Sequence, residues 1–249
     1  MINQVPKVPF DLDAACKHLA GCDAALAELI EKTAPFQMDE DPLQSPYEAL
    51  LEAIAYQSIS GKAAATIYGR IKALSSNGRA PAPEQMVKLR TSTLRKAGLS
   101  RAKALAMKDL AKKTLEGVVP TLEESHKLSD DELVKRLVSV RGIGAWTVEM
   151  FLIFRLGRPD VLPIHDLGVK KGWSVAYGKN YMPSPKELLE FGERWRPYRT
   201  VASWYMWRAF GRAGAKVTNK LKARKVKRKK RGHKGSAQGR KGATRRRRK

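Results

Sequence analysis

A chain of 249 residues, 43% of them apolar, is long enough to bury one large domain or two small lobes. Its 49 Lys and Arg against 24 Asp and Glu give +25, a surplus that points to a polyanionic partner, nucleic acid first. Cys16 and Cys22 are too few for a disulfide framework, a four-cysteine zinc site or an iron–sulfur cluster. No apolar run has the length of a membrane span or of a signal-peptide core, so the expectation is a soluble intracellular protein with no membrane partner.

Helical periodicity dominates the body, and no stretch alternates with period two between hairpin turns, so the sequence predicts an all-α protein. Residues 11–33 read as one or two helices of an N-terminal helical segment, 1–40, before the Pro- and Asp-containing stretch 35–45 breaks the pattern. Ser45-Pro46-Tyr47-Glu48 has the form of a capping box with proline at the first helical position. The helix it opens turns Leu50, Leu51, Ile54 and Ala55 inward. After Ser60-Gly61 a second helix carries Ala63, Ala64, Ile67, Tyr68 and Ile71 on its buried face and ends at Ser75-Ser76-Asn77-Gly78. Further helices are predicted around 83–90, 92–97 and 100–115. Ser129-Asp130-Asp131-Glu132 is another capping box, opening a helix to about Ser139 with Leu133, Leu137 and Val138 inward. The main domain is thus 41–215. Residues 216–249 hold 18 Lys and Arg and no acid, leaving 31 basic residues against 24 acids in the body. This tail has too few large apolar residues to order itself and is predicted to be disordered, as a non-specific DNA tether or a solubilising extension.

Between two helical segments lies Val140-Arg141-Gly142-Ile143-Gly144-Ala145-Trp146-Thr147, a helix–hairpin–helix spanning about 129–156. Its glycines allow positive φ and close approach of a ligand. The amides of Gly144 and its successors sit at the positive end of the next helix, where a phosphate fits. Ile143 is expected to point inward and pin the two helices. On this pattern alone an ordinary tight helix–helix turn is the alternative. The helix 145–156 ends at Gly157, and an extended stretch, 158–164, leads to His165-Asp166-Leu167-Gly168, where Asp166 begins a helix.

The capping helix, the glycine turn and an Asp about twenty residues on resemble the helix-hairpin-helix DNA glycosylase superfamily (HhH-GPD), and within it the 3-methyladenine DNA glycosylase II (AlkA/Mag) branch. The segments Tyr47-Glu48-Ala49-Leu50, Ala55-Tyr56-Gln57-Ser58-Ile59-Ser60-Gly61-Lys62-Ala63-Ala64 and Leu94-Arg95-Lys96-Ala97-Gly98-Leu99-Ser100-Arg101-Ala102-Lys103-Ala104 extend the likeness. So does Trp195-Arg196-Pro197-Tyr198-Arg199 followed by Trp204 and Trp207, in the family's order over roughly 40–212. Arg141 departs from the pattern, standing where the family often has Pro. The resemblance implies a two-lobed helical fold and a monofunctional DNA glycosylase of base excision repair. It flips alkylated purines, of the 3-methyladenine and 7-methylguanine type, out of duplex DNA and hydrolyses the N-glycosidic bond. It implies a monomer acting on damaged double-stranded DNA, cytoplasmic and nucleoid-associated in a bacterium or nuclear in a eukaryote. No organic cofactor, metal centre or iron–sulfur cluster is implied; a monovalent cation on the hairpin's backbone carbonyls is compatible with it.

Breaking an N-glycosidic bond builds positive charge on the sugar, which a carboxylate beside the anomeric carbon stabilises while it orients or deprotonates water. Asp166 matches the family's catalytic Asp; the residues alone favour a helix N-cap, and the resemblance reverses that preference. His165 reads as a packing residue or a support for its neighbours rather than a proton donor, and is not assigned catalysis. Trp146 stands where members that also cleave the sugar–phosphate backbone carry a Schiff-base lysine, and an indole cannot form an imine. Trp146 and Trp207 match base-pocket aromatics, able to stack on a cationic purine, with Met150 a third pocket candidate and Trp204 expected in the core. Gln57, Ser58 and Ile59 are candidates for the wedge that fills the gap left by the flipped base, a simple interhelical turn being the alternative. Lys62, Arg141 and Lys170 are candidate phosphate contacts. A non-catalytic DNA-binding module is the competing class, in which Asp166 has no task. A glycosylase for another damaged base is the alternative within the class, and the cysteine count and Trp146 disfavour an iron–sulfur glycosylase-lyase.

Overall fold

The computed structural model describes residues 8–38 and 45–213, and among them the regular elements are helices, with no strand. The first lobe begins at α3 (Pro46–Tyr56), where Pro46 occupies the opening turn and Ser45 Oγ accepts the Glu48 N–H at 3.2 Å. Only half of the predicted capping box forms, since the Glu48 carboxylate turns to Arg79 at 3.3 Å. Helix α4 (Gly61–Lys72) follows under a Ser60 cap, then α5 (Pro83–Lys88), α6 (Thr91–Lys96) and α7 (Arg101–Leu115). Helix α8 (Leu122–Lys127), which the sequence reading passed over, starts on a complete Thr121–Glu124 capping box. The Ser129–Glu132 box opens α9 (Asp130–Leu137) as predicted, and α10 (Ala145–Phe154) completes the lobe.

Leu50, Leu51, Ile54, Ile71, Leu133 and Leu137 share one buried cluster, each such side chain contributing about 1.5–3 kcal/mol by leaving water. Two predicted core positions differ. Ala63 is exposed, because only Ala64 of the Ser60-capped first turn faces inward. Val138 is 40% exposed, because α9 closes at Leu137 and Val138 is its C-cap, turned out where the hairpin begins.

The second lobe joins the two ends of the described chain. Helices α1 (Leu12–Cys22) and α2 (Ala24–Lys32) pack with α11 (Leu167–Ala176), α12 (Pro185–Gly192), a 3-10 turn at Glu193–Trp195 and the closing helix α13 (199–213). Leu19, Leu26, Phe36, Trp173, Trp195 and Tyr205 form their common core. Trp204, expected in the core, is there, its indole N–H donated to Gln37 O at 3.0 Å. Buried Asp23 caps α2 and accepts from the Tyr177 hydroxyl at 2.6 Å and Trp195 Nε1 at 3.2 Å, tying the N-terminal helices to the C-terminal ones.

The chain crosses between lobes once α10 has ended. Along the extended crossing, Val161 belongs to the first core and its neighbour Leu162 to the second, as alternating side chains of extended backbone require. Met38 and Trp207 pack against both cores. Asp166, at the end of the crossing, is thereby set at the lobe boundary. The basic segment 216–249 lies outside the described residues.

Candidate active site

The hairpin takes the predicted form. Gly142 adopts φ +78°, which favours glycine, and a Cβ there would lie 3.1 Å from the Ala106 Cβ of α7. Ile143, 4% exposed, is pinned in the first core. Gly144 is the N-cap of α10, exposed and in extended conformation, with nothing within 4 Å of the position a Cβ would take. The Thr147 and Val148 amides donate to Gly144 O, while the amides ahead of them in the first turn of α10 have no partner inside the helix, and the axis adds a positive end, so an anion is favoured here. The Arg141 side chain is exposed while its backbone N–H donates to Asp109 Oδ2 of α7 at 2.8 Å.

Asp166 is the N-cap of α11, as its residue type suggests, and it is also more than a cap. Oδ1 accepts the Val169 N–H at 2.8 Å and Trp207 Nε1 at 2.7 Å, and Oδ2 accepts Trp146 Nε1 at 2.8 Å. Three N–H donors from three elements therefore fix the carboxylate's orientation and leave acceptor capacity on Oδ2. Trp207 reaches it because α11 and α13 approach at two glycines one turn apart. A Cβ on Gly168 would meet Trp207 Cδ1 at 2.7 Å, and one on Gly172 would meet the Met206 carbonyl oxygen at 1.9 Å. Trp146 is 46% exposed, its edge held by Asp166 and its ring open to solvent.

The other candidates fall in two places. Met150 borders a cavity of about 310 Å³ with Tyr56, Thr147 and Phe154, and Trp207 borders one of about 400 Å³ with Phe154, Trp204 and Arg208. Phe154 and Arg155 border both, and Phe154 stacks on Trp207 with centroids 5.7 Å apart. Gln57, Ser58 and Ile59 form the junction of α3 and α4; the Gln57 amide donates to Gly142 O of the hairpin at 3.0 Å, and Ile59 is 40% exposed. Lys62 is exposed near the start of α4 and Lys170 half-buried near the start of α11, while His165 is exposed.

Sequence reasoning missed Phe154 and Glu149. Glu149 Oε2 is sealed from solvent with no hydrogen-bond partner. Burial, and then the negative charge of Asp166, push this carboxyl up to about 7. The signal lay in α10, Ala-Trp-Thr-Val-Glu-Met-Phe-Leu-Ile-Phe, where Glu149 is the one charged side chain of a mostly apolar helix, one turn after Trp146.

Comparison with known proteins places these features in company. Residues 51–197 match the model of the HhH-GPD superfamily base excision DNA repair proteins. DNA-3-methyladenine glycosylase 1 of Schizosaccharomyces pombe is 36% identical over 208 residues, 83% of this chain and 91% of its own length. The structure of the same organism's 3-methyladenine DNA glycosylase in complex with abasic DNA superposes with a TM-score of 0.71 at 37% identity, covering 78% of this chain and 95% of that one. The crystal structure of a DNA-3-methyladenine glycosidase from Bacillus halodurans gives 0.72 at 34% identity, covering 81% and 92%.

Proposed function

The chain belongs to the HhH-GPD superfamily of base excision DNA repair proteins, and we propose that Asp166, Trp146 and Trp207 form its excision centre, that of a monofunctional glycosylase. The protein is a DNA glycosylase for alkylated bases, and duplex DNA is its partner. We assign its substrates to the 3-methyladenine and 7-methylguanine type, after the 3-methyladenine for which the relatives are named.

The reading rests on one observation above the others, the carboxylate of Asp166 held at the lobe boundary by two indole N–H groups and a helix-start amide. A carboxylate so fixed stabilises the cationic sugar without having to reorganise as charge develops. An alkylated purine already carries positive charge and leaves readily, so the cleft needs to stack on the base more than protonate it. Trp207, Phe154 and Met150 offer the stacking surface, with cation–π attraction to the ring faces. The hairpin amides of Gly144 and the α10 start, with Arg141, Lys62 and Lys170, hold phosphates. Ile59 fills the gap in the stack, because Ser58 is small and the Gln57 amide is engaged by the hairpin. Trp146 supplies no amine for an imine, so water is the nucleophile and the sugar–phosphate backbone stays intact.

No organic cofactor or iron–sulfur cluster enters this reaction. A monovalent cation on the hairpin's backbone carbonyls is compatible with this reading, since Gln57 Nε2 occupies one lone pair of Gly142 O and leaves the second. The protein acts as a monomer at the nucleoid, or in the nucleus of a eukaryote; among the described residues no helix is long and apolar enough to cross a membrane.

The test is to incubate the protein with methylated duplex DNA, chromatograph the released bases, and probe the product with alkali and with borohydride. Free 3-methyladenine, strand breaks only after alkali and no covalent protein–DNA adduct are expected. A borohydride-trapped adduct overturns the monofunctional assignment.

A further inference from the structure

The hairpin and the α3–α4 junction are far apart in sequence, yet one face of α7 holds both. Lys103, Ala106, Asp109 and Lys113 follow one another at spacings of three, three and four, which puts them on one side of a helix. Lys103 Nζ donates to Ala55 O at 2.8 Å and to Gln57 O at 2.6 Å, the carbonyls at the C-terminus of α3. The Ala106 Cβ lies under Gly142. Asp109 accepts the Arg141 N–H at 2.8 Å, and Lys113 Nζ, 3.7 Å from Asp109, holds the Ser139 carbonyl. The Gln57 amide then closes the frame by donating to Gly142 O.

Ser58, next to the clamped Gln57, has φ +56°, a left-handed conformation that an L side chain keeps only when its surroundings impose it. The helix C-terminus gathers unpaired carbonyls, whose partial negative charge disfavours approach of a phosphodiester. An ammonium placed on them removes that charge and fixes the turn. Lys103 is half-buried and its burial disfavours the ammonium form, so keeping it charged there is a cost that the two carbonyls offset.

We propose that Lys103 is a positioning residue for base flipping. Through the α3 carbonyls it holds the Ser58–Ile59 tip at a fixed offset from the hairpin, so that gripping a phosphate and entering the base stack are one rigid-body event. This rests on the reading of the junction as the wedge, and it predicts a loss confined to substrates in which the base must be forced out of a paired stack.

The experiment measures single-turnover excision of a methylated purine at saturating enzyme on two duplexes, one fully paired and one with the lesion in a mismatched bubble that lowers the unstacking cost. Lys103→Met keeps most of the stem and removes the charge; Lys103→Arg keeps charge and donors. Lys103→Met is expected to lose about tenfold or more on the paired duplex and under about threefold on the bubble. Its affinity for undamaged DNA should change by less than about twofold, and Lys103→Arg should restore the paired rate. A 2-aminopurine reporter beside the lesion should lose its fluorescence rise with Lys103→Met. Equal losses on both duplexes, no loss, or failure of Arg to rescue overturns the proposal. If Lys103→Met does not fold, Gln57→Ala breaks the frame from its exposed side and must show the same split between paired and bubble substrates. Wild-type protein that releases no base from either duplex refutes the glycosylase reading itself, a result distinct from wild-type and mutant excising alike.

Discussion

The hairpin and the Asp166 centre touch at Trp146 and are built on opposite principles. The hairpin is assembled from eight consecutive residues: a left-handed Gly142, an inward Ile143 and a capping Gly144 at the head of α10. Its useful groups are backbone amides, present whatever the side chains are. The carboxylate centre draws on α10, α11 and α13, and its donors Trp146 and Trp207 lie 20 and 41 residues from Asp166. Phosphate binding is sequence-independent and is met by local backbone geometry. Stabilising a sugar cation needs one carboxylate at one angle, which only converging elements supply.

The strongest way to separate the two regions is Asp166→Asn. An amide retains an oxygen for the Val169 N–H but turns an N–H₂ toward one of the indole donors and carries no charge. Excision should fall by about 10²–10³-fold while affinity for undamaged duplex is unchanged. Release of bases at the wild-type rate removes Asp166 from the chemistry.

Gly172→Ala tests whether the carboxylate centre depends on packing far from the DNA. The added Cβ would meet the Met206 carbonyl oxygen at 1.9 Å, so α13 must move, at a cost of about 3 kcal/mol, with Trp207 drawn off Asp166. A lowered Tm together with lost excision is the expected result; an unchanged Tm contradicts the close helix contact.

Gly144→Ala addresses the hairpin alone. The new methyl meets no protein atom and the backbone is extended, so Tm should hold. It stands where a phosphate approaches the amides, and affinity for duplex DNA should weaken by about 1 kcal/mol, near fivefold. Excision at saturating enzyme should remain close to wild type, and a fall there would join the hairpin to the chemistry.

The smallest effect belongs to Glu149, whose carboxyl has an ordinary value of 4.5 in the unfolded chain and about 7 when folded. Above 4.5 the unfolded state has released a proton that the native state keeps, so the site loses stability as pH rises from 4.5 to about 7 and is level beyond. Glu149→Gln has no proton to lose, so its stability relative to wild type should rise across that window. The gain is about 1 kcal/mol after allowance for solvent screening of the exposed part of the side chain. Denaturant melts at pH 5 and pH 8 measure it, and equal differences at both would show that Glu149 ionises normally.

The local features were legible in the sequence for local reasons. Serine caps before α3 and α9 announce themselves because a cap bonds an amide three residues on. The inward Ile143 and the buried Leu50, Leu51 and Ile54 follow from helical spacing, and the +25 charge reads off composition. One miss had a partner distant in sequence, since Glu48 left its box for Arg79; the others were local, Val138 turning out when α9 closed at Leu137 and the Thr121–Glu124 box of α8 being passed over.

By itself, the sequence determined an all-helical chain, a glycine hairpin poised for phosphate and an Asp at the start of a helix, since each is set by neighbours within about one turn. Only the tertiary structure decided that this Asp is gripped by two indoles and faced by Glu149, whose sealed Oε2 has no hydrogen-bond partner. It also decided that Gln57 is spent on the hairpin while Lys103 clamps the junction behind it. Those outcomes hang on how α7, α11 and α13 pack, through a glycine's missing Cβ and one helix's register on another. Spacing along the chain does not encode that geometry.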